Sequence, residues 1–420
     1  MSIRTDWKRI FAAVLSLAVL GMFACGGGGS NAPVTSGLTK RAFVSDDVDG
    51  RLHIEDAQND IESASRISTG SRPGAMRLSP DKSITLVFNA GSSALAVVTN
   101  STESLLGSIF LPNSSTSYVS MSDNTVGFAA VPNCPLTSCN GSANVVEVVN
   151  LATTFNITGT VPIAQVARTL VLSPTGSKLL VFGGPADHQE TLTVVDTATA
   201  IGSTPAAAAT LLSGFDRPVS AVFSSDGSKA YVLNCGAECG GTAASVSVLD
   251  LSTNTTSAPI PLLGATTGLL SGNTLYVAGS PPGLLAGRLS VLDTTALVPP
   301  ASSVPISDGF HNRMELASNN KLFIGAAPTC TAGCLTIFDT SNDQAAVDPT
   351  TGNVTGIAPI NGRNVVYVVE DVAAGSSHCQ GQLPCLGKLR IYDTTASVPT
   401  LTPTQIDVAG KAVDVKYVDQ

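Results

Sequence analysis

Three features of the sequence predict an all-β fold of four-stranded antiparallel blades, a β-propeller. The first is composition: 43% of the 420 residues are hydrophobic, 13% charged and 5% aromatic. Helix formers such as Glu, Lys and Gln are scarce, which argues against a helical bundle. The second is turn chemistry. The 39 Gly and 24 Pro residues break the chain into short apolar runs of strand length. The third is an internal repeat of about 40–50 residues, a period that marks propellers and other repeat architectures.

The chain begins with a segment that reads as an export signal. Arg4, Lys8 and Arg9 form a basic n-region, and Ile10 to Leu20 an apolar stretch short of bilayer length. Met22-Phe23-Ala24-Cys25 follows, then Gly26-Gly27-Gly28-Gly29-Ser30. This resembles the lipobox of bacterial lipoproteins, in which a small residue precedes a lipidated Cys. Met22 and Phe23 depart from the Leu and small residue which that family prefers. The resemblance implies a lipoprotein signal peptide over 1–24, lipidation of Cys25, and a flexible Gly/Ser-rich tether over 25–39. The competing reading is an ordinary secretory signal cut near Ala24 that leaves Cys25 a spare thiol. Loss of residues 1–24 removes three basic residues and Asp6, taking the net charge from −9 to about −11. An acidic chain lacks the clustered Lys and Arg that phosphate binding needs, so no nucleic-acid partner is expected.

From residue 40 onward the repeat dominates. One strand ends in a short signature: Val194-Val195-Asp196-Thr197, Val248-Leu249-Asp250-Leu251, Val291-Leu292-Asp293-Thr294, Ile337-Phe338-Asp339-Thr340 and Ile391-Tyr392-Asp393-Thr394. Looser copies near Ile54, Val97 and Val148 bring the number to eight. Upstream lies a second strand, as in Leu86-Val87-Phe88-Asn89, Tyr231-Val232-Leu233-Asn234 and Val366-Tyr367-Val368-Val369. Before several of these comes a turn, Ser79-Pro80-Asp81-Lys82, Ser173-Pro174-Thr175-Gly176 or Ser224-Ser225-Asp226-Gly227.

This order of strand, SPDG-like turn, YV-N strand, loop and V-V-D-T strand resembles YVTN-type β-propeller repeats. The likeness covers nearly all of 40–420 and implies one blade per repeat. Innermost strands are expected to start near Gly74, Ser117, Arg168, Pro218, Thr267, Asn312 and Val354. Ala412 to Val418 reads as one more innermost strand, and the first repeat starts at its second strand near Arg41. The C-terminal strand would then close the first blade and remove an open sheet edge. Counted this way there are eight blades, with seven as the alternative.

Beyond Cys25, eight cysteines fall into four close pairs: Cys134 and Cys139, Cys235 and Cys239, Cys330 and Cys334, Cys379 and Cys385. An even number in an exported chain reads as disulfides, most simply within each pair. Zinc would need two pairs to converge, and the pairs sit in separate repeats. All four fall between second and third strands, so one face should carry four stapled loops.

Candidate ligand-binding residues cluster at one mouth of the expected channel. Arg72, Arg168, Arg217 and Arg313 each precede or open an innermost strand, and His311 lies beside Arg313. Four arginines at one mouth would make an anion site. The competing reading has each Arg bonding carbonyls or carboxylates of its own loops. The sequence shows no catalytic set, no metal-ligand set and no nucleotide-binding motif. No cofactor is expected, with a divalent cation left open.

Together these features point to an exported, lipid-anchored protein of the bacterial envelope, periplasmic or on the cell surface. Its expected role is a binding or scaffold module for a protein, peptide or glycan. The alternatives are a lactonase-like or other metal-dependent hydrolase at the channel mouth, and a purely structural surface protein.

Overall fold

Eight four-stranded antiparallel sheets, repeated in order along the chain, form an eight-bladed β-propeller. The structure is a computed structural model. It describes residues 35–327, 330–331, 333–371, 387–396, 398–408 and 410–419. The segment read as a signal peptide, Cys25, most of the expected tether, and the Cys379 and Cys385 pair lie outside the described residues.

Blade 2 shows the pattern. Its strands run from the innermost, Pro73–Leu78, through Ile84–Asn89 and Ala94–Thr99 to the outermost, Ser104–Phe110. The two middle strands are buried on both faces, because each blade packs face to face against its neighbours. That is why they read as continuous apolar runs rather than as alternating ones. Innermost strands begin at Pro73, Ser117, Thr169, Pro218, Thr267, His311 and Asn353, each within one residue of expectation. In blade 5 the outermost strand is interrupted, as Thr255–Thr256 and Ile260–Pro261. In blade 4 a short helix, Thr197–Ile201, follows the third strand.

The repeated Asp of the third strand has a structural purpose. Asp250 Oδ1 accepts hydrogen bonds from the Ser252 and Thr253 amides, and Asp293, Asp339 and Asp393 each accept one from the residue two positions on. These are Asx turns, which end the strand and start the hairpin to the outer strand. The residue after the Asp then donates its amide to the turn between the first and second strands, as Thr294 does to Asn273 and Thr340 to Asn320.

Closure is by strand pairing. Ala412–Asp419 pairs antiparallel with Lys40–Asp46, from Lys40 opposite Asp419 to Asp46 opposite Ala412, and forms the innermost strand of blade 1. The chain ends of the propeller thus share one sheet, and the ring has no open blade there. Among the described residues, no helix is long and apolar enough to cross a membrane.

Candidate functional site

Two surfaces could carry function: the face that bears the loops between second and third strands, and the central channel with its mouth on the opposite face.

Among the described residues, three cysteine pairs form disulfides on the loop face, Cys134–Cys139 in blade 3, Cys235–Cys239 in blade 5 and Cys330–Cys334 in blade 7. Three of the arginines lie on the same face, tied to loops. Arg72 pairs with Asp47, Nε to Oδ1 at 3.1 Å, and so links the entry of blade 2 to a blade 1 loop. Arg168 makes a two-point contact with Asp187 at 2.6 and 3.0 Å within blade 4. This contact raises the Arg168 pKa further, while hydrogen bonds from Arg168 and Gly184 hold the Asp187 carboxyl low against the opposing effect of burial. Arg217 donates to the carbonyls of His188 and Gly240, bridging the loops of blades 4 and 5. Arg72 and Arg217 share a left-handed backbone, φ 59° and 61°, immediately before a proline. These guanidiniums already have carboxylate or carbonyl partners, which is the ordinary use of such residues.

Arg313 lies elsewhere, in the central channel. Five of the eight innermost strands carry a register shift near their start: those of blades 1, 2, 5, 7 and 8. A bulge releases backbone groups from the ladder, and buried groups of that kind need new partners. Side chains from neighbouring blades supply them. Asp414 of blade 1 accepts from the Met76 amide at 2.8 Å, and the Tyr118 hydroxyl of blade 3 donates to the Ala75 carbonyl. Arg313 donates to the Thr355 carbonyl at 3.1 Å and to that of Asn312 at 3.0 Å. Asp414 also takes Lys416 Nζ at 3.1 Å.

Arg77, Glu315 and Lys416 line a cavity of about 320 Å³ where the channel opens among the turns of the opposite face. Glu315 is exposed to this opening yet ringed by channel wall. The crowding raises its carboxyl pKa, and Lys416 acts the other way. The charges here come from blades 1, 2 and 7. Sequence reading singled out only Arg313 among them. A usable signal existed: charged residues inside otherwise apolar innermost strands, as in Met76-Arg77-Leu78 and Val415-Lys416-Tyr417.

His311 is fully buried in blade 7, its ring nitrogens 3.3 Å from Ser280 Oγ and Ser307 Oγ. Burial pushes its pKa down to about 4, so the ring is neutral at physiological pH. Among the described residues, no three His, Cys, Asp or Glu side chains come together in a metal-holding group.

A third feature opens on the loop face between blades 4 and 5, a cavity of about 350 Å³ beside the Cys235–Cys239 loop. Asn234, Ser245 and Ser247 lie at its base, with Gly214 and Glu190 on its walls.

No protein-family model matches the chain, and no curated protein matches it. Solved structures do. One is the dihydro-heme d1 dehydrogenase NirN in complex with DHE, with a TM-score of 0.65 and 13% identity over 90% of this chain and 75% of that one. Another is the hydrazine synthase of Kuenenia stuttgartiensis, with a TM-score of 0.49 and 15% identity over 76% of this chain and 99% of that one. At such identities the likeness to NirN shows the propeller fold and nothing about activity.

Proposed function

We propose that this protein is a lipid-anchored envelope β-propeller that acts as a binding or scaffold module, recognising its partner through the face of stapled loops. One observation carries the reading: disulfides in three blades and arginine clamps in three all fix loops on that face. A surface fixed before binding loses less conformational entropy when a partner docks. Neither NirN's activity nor the DHE bound to it is carried over, because 13% identity supports the fold alone. Among the described residues, no three His, Cys, Asp or Glu side chains come together to hold the metal that the lactonase alternative needs.

A photo-crosslinking residue at Leu285, which is 97% exposed between the second and third strands of blade 6, samples the loop face. One at Asp123, in an exposed turn of blade 3, samples the opposite face. Discrete adducts from Leu285 and none from Asp123 are expected in envelope preparations. The reverse pattern would sink the reading, as would metal-dependent lactone hydrolysis abolished by Glu315→Gln. Anchoring is read separately: fatty-acid labelling should be lost in Cys25→Ser.

A further inference from the structure

Blades 2 and 5 carry the same asparagine at the end of the second strand, Asn89 and Asn234. Both are buried, and each faces the first residue of the third strand, Ala94 in one blade and Ser245 in the other. In blade 2 the carboxamide is closed off. Thr69 Oγ1 donates to Asn89 Oδ1 at 3.3 Å, and Asn89 Nδ2 donates to the Thr69 carbonyl at 3.0 Å. Thr69 stands three residues before the Arg72-Pro73 pair that opens the innermost strand.

Blade 5 changes each part of this arrangement. Three residues before the matching Arg217-Pro218 stands Gly214, and a Cβ built there meets nothing within 4 Å. Ala94 and Ala96 are replaced by Ser245 and Ser247. Asn234 Nδ2 donates to both serine oxygens, at 3.1 and 2.9 Å. The carbonyl end, Oδ1, has no partner although Asn234 is only 1% exposed. Turning the carboxamide over would satisfy that end and orphan the other, so one end stays unmet in either orientation. Buried groups of this kind normally have a partner. Where blade 2 has a closed pair, blade 5 has the cavity of about 350 Å³ described above.

The geometry points to a saccharide-binding subsite in this cavity, whose volume of about 350 Å³ has room for one sugar ring. Because the serine oxygens accept from Asn234, their hydroxyl hydrogens are left to donate. The floor therefore offers two donors and one unmet amide end, and Glu190 on the wall adds an acceptor. Vicinal sugar hydroxyls both donate and accept, so they can meet all of these groups. Phe215, Pro259 and Pro261 give the apolar surface that a sugar-ring face covers. Glu190 and Asp216, both at the cavity, disfavour an anion. This subsite specifies a ligand class within the loop-face reading and rests on it.

Saturation-transfer NMR and calorimetry on the exported propeller would test it. The probes are glucose, N-acetylglucosamine, cellobiose and chitobiose. At least one should bind with a Kd of roughly millimolar order, the scale of a small solvent-competing ligand. Ser247→Ala and Ser245→Ala restore the alanines that blade 2 already tolerates, so both variants should fold, with melting curves as the check. Each should weaken binding about 3- to 10-fold, the effect of one lost hydrogen bond. If none of the four probes binds the unaltered protein, the cavity holds water and the subsite is refuted. Binding unaltered in both serine variants refutes it equally. Leu285 adducts without saccharide binding would overturn this subsite and leave the loop-face reading standing; the absence of both would overturn both.

Discussion

Glu55 and His53 lie on the same face of the Arg51–Asp56 strand in blade 1. His53 is held by Glu62 at 2.6 Å and Asp46 at 3.2 Å. Burial opposes its charge, but the two carboxylates win and raise its pKa to about 9. Asp46 is likewise buried, yet hydrogen bonds from His53 and from the Lys411, Val48 and Asp49 amides bring it to about 2. Glu55 has no such help. It is fully buried, with neither oxygen partnered, and burial followed by the nearby Glu62 pushes it to about 8. Its folded pKa lies above the unfolded value, so the folded state holds the extra proton between about pH 4.5 and 8. With respect to this group, stability is therefore greatest below about pH 4.5, falls as pH rises from there, and the loss is complete at about pH 8. His53 adds a loss of the same sign between about pH 6.5 and 9. Glu55→Gln should flatten the decline between about pH 4.5 and 8 and stabilise the protein by roughly 3–5 kcal/mol above pH 9. Denaturant titrations at pH 6 and pH 9.5 measure it. A variant that gains nothing at the higher pH would show that Glu55 ionises without penalty.

Single strands and loops were the part of the fold most legible in sequence. The V-V-D-T signature can be read because the Asp serves the same Asx turn in successive blades, as at Asp250, Asp293 and Asp393. The cysteine pairs can be read because both partners sit in one loop. The arginines were half legible. Arg72, Arg168 and Arg217 recur at equivalent places, but recurrence does not reveal whether a carboxylate such as Asp47 or Asp187 already holds the charge. The cluster of Arg77, Glu315, Asp414 and Lys416 comes from three blades, and bulges set its geometry. No short window of sequence contains that arrangement. At this scale the disulfides make a test. Cys235 and Cys239 close a loop four residues apart, so replacing both with Ser should cost about 2 kcal/mol. The loss should be local, appearing as faster amide exchange over 235–244 while the channel strands keep their protection. Uniform loss of protection around the ring would mean the staple serves the whole fold rather than the loop.

The ring as a whole depends on the pairing of Lys40–Asp46 with Ala412–Asp419. The last strand does three things at once. It covers the edge of blade 1, it supplies Asp414 to cap the Met76 amide of blade 2, and it places Lys416 at the channel mouth. Val415 and Tyr417 also pack with Tyr367, Leu389 and Ile391 of blade 8, across the seam between blades 1 and 8. Truncation after residue 411 should therefore open the edge of blade 1 and remove a buried cap and a packing layer together. A chain that ends there is expected to lose cooperative thermal unfolding and to associate through the exposed strand. A circular permutant separates the strand from the chain end. Lys40 and Asp419 face each other as a strand pair, so a short linker can join them. New ends can open in the exposed loop at Leu285. If closure depends on contacts and not on where the chain begins, the permutant should melt as one transition, within a few degrees of the parent. A permutant that fails as the truncation does would show that the order of synthesis, and not the seam itself, holds the ring shut.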